Sequence, residues 1–68
     1  MEHVFYELII KGGSPDDWRQ CLGFEHAVDV AQRKEVVRVR RIVRTAGQPD
    51  EVKDVTEVVR MAVNNRQQ

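Results

Sequence analysis

The chain has 68 residues, with eleven basic and eleven acidic side chains, no net charge, and Cys21 as its only cysteine. This length allows one domain, residues 1–68, that buries only about 60% of its unfolded surface; no intrachain disulfide can brace it, so self-association is the expected reinforcement. No apolar run approaches the ~20 residues that span a bilayer, and the start of the chain lacks the basic flank and apolar core of a signal peptide, so no membrane partner is expected.

His3 to Lys11 reads as a strand. Val4, Tyr6, Leu8 and Ile10 form a wholly apolar or aromatic set at every second position and should face the core. Phe5, Glu7 and Ile9 fall on the other face, leaving Phe5 free. Gly12-Gly13-Ser14-Pro15-Asp16-Asp17 reverses the chain and opens a helix, with Ser14 as N-cap, Pro15 at the first helical position, and two aspartates on the positive helix end. A phosphate loop is disfavoured here: the spacing matches neither glycine fingerprint, and the aspartates would repel an anion.

Trp18 to Gln32 is expected to be helical, with a break or kink at Gly23. Phe24, Ala27, Val28 and Ala31 recur at i, i+3, i+4 and i+7, and Cys21 extends that stripe backward. The alternative ends a short helix at Gly23 and makes residues 24–31 a third strand, because Phe24, His26, Val28 and Val30 also alternate.

Arg33 to Arg44 is the most distinctive stretch. It carries net charge +5, against −4 before it and −1 after it. Its Val and Ile content favours a strand. Alternation puts Val37, Val39, Arg41 and Val43 on one face and Val36, Arg38, Arg40, Ile42 and Arg44 on the other. Residues 45–50 form a loop by composition. Asp50-Glu51 then opens a second helix in which Val52, Val55, Val59 and Ala62 recur, widened by Val58 and Met61. Valine is a poor helix former, so this helix needs a surface to pack on. Residues 64–68 form a polar tail that should fray.

The resulting fold class is small α+β, in the order strand, helix, strand, helix. A two-stranded sheet is marginal alone, so its completion by oligomerisation is expected.

Few residues point to chemistry. Cys21, His26 and His3 lack any paired metal-ligand spacing, and no metal or cofactor is expected. Five helical steps put Cys21 and His26 about 140° apart, out of reach as a nucleophile pair; Cys21 reads as core and His26 as surface. Asp16, Asp17, Glu25 and Asp29 form an acidic helix face, with no pocket in so small a chain to make them an acid–base pair. That face could meet the arginine strand of a neighbouring copy. Trp18, Tyr6 and Phe5 are not interleaved with the basic patch, which gives base stacking little support.

The expected function is therefore a non-catalytic binding or assembly module, not an enzyme, acting through protein–protein contacts as a homo-oligomer with a protein partner. The lone cysteine fits a reducing, cytoplasmic setting. The candidate binding surface is Arg33, Lys34, Arg38, Arg40, Arg41 and Arg44. The alternative use of that surface is contact with nucleic acid phosphates; the bland one is a strand face neutralised by the protein's own carboxylates.

Overall fold

The computed structural model describes residues 2–14 and 17–67. The elements are β1 (Glu2–Ile10), β2 (Arg19–Cys21), α1 (Phe24–Arg33), β3 (Val36–Thr45), β4 (Glu51–Asp54) and α2 (Thr56–Arg66). The four strands form one antiparallel sheet in the order β2-β1-β3-β4. The α+β class holds, with two more strands than the sequence reading placed.

β1 and β3 make the central pair because they are the two long runs of branched and aromatic residues. Leu8 lies opposite Val39, Phe5 opposite Ile42 and Glu7 opposite Arg40. Two glycine turns fold the short strands back onto this pair. The Ile10 and Thr45 carbonyls accept the amides of Gly13 and Gln48, and Gly12 and Gly47 take positive φ at the third turn position. A Cβ is disfavoured at such a φ, so glycine suits both.

Residues 19–21, expected in a helix, are β2. Pairing with Tyr6, Glu7 and Leu8 buries Cys21 beside the core, a tertiary gain that outweighs weak local preference. Cys21 thus reaches the core from a strand and not from a helical stripe. Ser14 and Asp17 lie in no helix, and the Asp17 amide bonds the Ser14 carbonyl; the Pro15 and Asp16 helix positions lie outside the described residues. Gly23 neither kinks nor ends a helix. It has extended backbone before α1, and its carbonyl accepts the Ala27 amide. Residues 24–31 are therefore helix and not a third strand. The 3.6-residue stripe prevails over the alternation: Ala27 and Val28 are fully buried, with Phe24 and Ala31 packed around them.

The second helix starts at Thr56 and not at Asp50-Glu51, because residues 51–54 return along β3 as β4. Val52 belongs to that strand and is exposed. α2 continues through Arg66, in the segment expected to fray, and Arg66 pairs there with Glu25 and Asp29 of α1. That contact employs α1's acidic residues within the chain.

Both helices cover one face of the sheet, α1 over β1 and β2, α2 over β3. The core between the layers is Leu8, Cys21, Ala27, Val28, Val39, Val55 and Val59. Tyr6 joins its margin, edge-on to Phe24 at 5.9 Å. A bulge corrects the expected faces of β3. Ile9 pairs with Arg38 but Ile10 with Val36, so Val37 is the extra residue. The insertion reverses the alternation: Val36 packs on the core and Val37 is exposed.

One buried polar residue locks α2 to the sheet. The Thr56 hydroxyl accepts the Val39 amide at 2.9 Å and gives its proton to Asp54 Oδ1 at 2.7 Å, which also accepts the Thr56 amide at 2.9 Å. The Val39 carbonyl accepts the Val55 amide at 3.0 Å. Thr56→Val keeps the shape but strands the buried Val39 amide, and should destabilise the fold by about 1–3 kcal/mol in urea unfolding. Thr56→Ser should recover most of that loss; equal losses would show that the hydroxyl is not what matters.

Candidate functional site

The expected basic surface is divided by the fold. Arg33 ends α1 and Lys34 follows it, so neither lies on β3. Arg38, Arg40 and Arg44 lie on the helix-free face of the sheet, opposite Ile9, Glu7 and His3 of β1. Arg41 points to the other face, opposite Tyr6 and Lys53.

Each arginine of the free face has a carboxylate of its own. Arg40 Nε and a terminal nitrogen bind Glu7 Oε1 at 2.8 and 2.6 Å. Arg44 grips Asp50 with two nitrogens, at 3.1 and 2.9 Å to its two oxygens. Arg38 approaches Asp54 Oδ2 at 3.4 Å, while Oδ1 holds the start of α2. The Arg40–Glu7 pair is the least exposed of these, with side chains at 32% and 21%. The face is thereby neutralised pair by pair.

It also has apolar content. Phe5, expected to be free, is only 3% exposed. Arg44 lies over its ring at 5.1 Å and the His3 ring packs at 5.4 Å, so the arm of a charged residue shields apolar surface. Trp18 is not in a helix. It precedes β2 and stacks on the Arg40 guanidinium at 3.7 Å, an arrangement worth about 0.5–2 kcal/mol. On one side of it lies a shallow depression of about 640 Å³ lined by Ile9, Ile10, Val37 and Arg38. On the other lies one of about 250 Å³ lined by Arg38, Arg40, Val52 and Asp54.

Sequence reasoning missed Trp18 as a surface anchor and Asp54 as a joint. Nothing local marks Trp18. Asp54 was findable, since Asp-Val-Thr-Glu before an apolar stripe is a helix-start signal.

Among the described residues, the resolved pKa shifts have structural causes. Burial pushes the Cys21 thiol up, away from the reactive thiolate. The Thr56 amide, then its hydroxyl, hold Asp54 below its ordinary 3.8. The Arg44 hydrogen bond does the same for Asp50, and the Arg66 hydrogen bond for Asp29. Among the described residues no His, Cys, Asp or Glu cluster could hold a metal, and no helix is long and apolar enough to cross a membrane.

No protein-family model matches the chain, and comparison with curated proteins and with solved structures gives no match.

Folded-state depression of Asp29, Asp50 and Asp54 makes stability full above the unfolded value of 3.8 and lost as pH falls below it, through the lower folded values. The thermal midpoint should hold between about pH 7 and pH 5 and drop below 3.8. Asp54→Asn should lower the midpoint at neutral pH and shrink the acid-side drop; an undiminished drop would mean that the Asp54 bonds add nothing.

Proposed function

We propose that the protein is a non-catalytic assembly module that works through protein–protein contacts, with a second copy of itself as the first partner. The observation that carries this reading is the free sheet face. Trp18 stands on the Arg40–Glu7 pair between two depressions walled by Ile9, Val37 and Val52. An aromatic anchor and arginines amid exposed apolar residues are what a protein interface concentrates at its centre. The charges suit self-contact: Arg38, Arg40 and Arg44 are matched by Asp54, Glu7 and Asp50, so two copies related by a twofold axis do not repel. Face-to-face packing would give the sheet a second apolar layer about 10 Å away. The buried, unpaired Cys21 accords with a reducing, cytoplasmic setting.

Nucleic acid is the weaker use of this face. Phosphates would have to displace Glu7, Asp50 and Asp54 from the arginines before contacting them.

Sedimentation velocity tests the proposal. A dimer is expected at tens of micromolar, on the scale of a transient interface, and should persist in high salt because its centre is apolar. Trp18→Ser should shift it to monomer with its circular dichroism kept. A monomer at every concentration would overturn the reading. So would steeply salt-dependent binding of labelled oligonucleotides that is lost on replacing Arg38, Arg40 and Arg44, and would install the nucleic-acid reading instead.

A further inference from the structure

Three cations that lack carboxylates gather elsewhere. A cleft of about 240 Å³ between β2 and α1 is lined by Arg19, Gln20, Cys21, His26, Val30, Arg33 and Lys34. Among the described residues no carboxylate lines it. The acids adjacent in sequence to its lining residues are engaged by other cations: Glu25 and Asp29 pair with Arg66, and Glu35 with Lys11 at 3.4 Å. Among the described residues Arg19, Arg33 and Lys34 make no ion pair, whereas Arg38, Arg40 and Arg44 each make one. The field of Asp29 reaches Arg33 and His26, offsetting only part of the positive charge. Arg33 and Lys34 at the end of α1 complement the helix dipole; that rule gives no reason for Arg19 on β2 or for His26 near the start of α1.

Two further features define the occupant. Among the described residues β2 is an edge strand, paired with β1 on one side and with no strand on the other. The cleft floor is apolar, made by half-buried Val30 and buried Cys21. Its volume falls below the ~300 Å³ at which ordinary small-molecule sites begin, so it suits a side chain better than a nucleotide. We infer that this cleft receives an acidic side chain from an extended peptide of a partner protein, whose main chain adds as a strand to the outer edge of β2. Main-chain bonds supply register and the cations select Asp or Glu. The site lies off the free sheet face, and its occupancy does not depend on dimerisation.

The test is an amide NMR titration of the full ¹⁵N-labelled chain at about 20 mM salt, where screening is weak. Three capped heptapeptides are compared: Thr-Val-Glu-Val-Glu-Val-Thr, its Gln-for-Glu analogue, and the Glu peptide with alternate backbone nitrogens methylated. Inorganic phosphate forms a fourth arm. The Glu peptide should shift the amides of Arg19, Gln20, Cys21, Val30, Arg33 and Lys34, with both analogues at least about tenfold weaker. Arg33→Glu and Arg19→Glu, each at an exposed position, should abolish the shifts while the rest of the spectrum is retained. The proposal is overturned if the Glu peptide shifts nothing at about 1 mM, if its shifts fall on β3, or if the methylated peptide binds equally well. Phosphate producing the same shifts at the same concentration would also overturn it, making the cleft a small-anion site. None of these results bears on the Trp18 face, which sedimentation reads separately.

Discussion

The antiparallel pairing of β1 with β3 is the constraint on which everything else depends. It runs from Glu2 opposite Thr45 to Ile10 opposite Val36, and it decides what each face of the sheet must do. Leu8 and Val39 on one face require cover, and the two helices provide it. Phe5 and Ile42 on the other require cover as well, since both are almost wholly buried, but no helix remains. The protein covers them with what that face carries: the arginine arms, the His3 ring and, beside them, Trp18. The arginines of β3 are thus structural before they are anything else. Exposed ion pairs contribute about 0–1 kcal/mol each, so their value lies less in charge than in the apolar surface their stems shield.

How far the sequence was legible follows from how local each signal is. β1 was visible from its alternation over nine residues, and β3 from its Val and Ile content. The stripe of α1 was visible because apolar residues recur there at 3.6-residue spacing. β2 and β4, at three and four residues, carry too few side chains to show a period, and they exist because a glycine turn delivers them to a neighbour. Val52 misled for a physical reason: it sits at helical spacing from Val55 and Val59, yet those two belong to α2 and its margin while Val52 lies across from Ile42. The bulge at Val37 was invisible, because one inserted residue leaves the composition of the strand unchanged while reversing its faces.

The candidate surface was half legible. A block of six basic residues is plain in the sequence; which of them are answered by carboxylates is not. The answering groups come from β1, from the loop after β3 and from the end of β4, up to 33 residues away. Folding splits the block into paired arginines on the helix-free face of the sheet, Arg41 on the other face, and unpaired cations at the end of α1. Arg19, remote in sequence, joins the latter through β2. The electrostatic character of each site is therefore a property of topology, not of local composition.

The three-residue strand β2 has one more consequence, for the order in which the chain is made. β1, with its run Val-Phe-Tyr-Glu-Leu-Ile-Ile, leaves the ribosome well before its main partner β3. Such a run is the kind of segment that pairs with strangers when its edges are open. β2 follows it directly, joined through the Gly12 turn, and among the described strands it is the partner of β1 made before β3, in time to occupy one edge during that interval. A strand too short to register as structure in the sequence thus acts as a guard on the nascent chain, and its arginine end adds the charge that discourages wrong pairings.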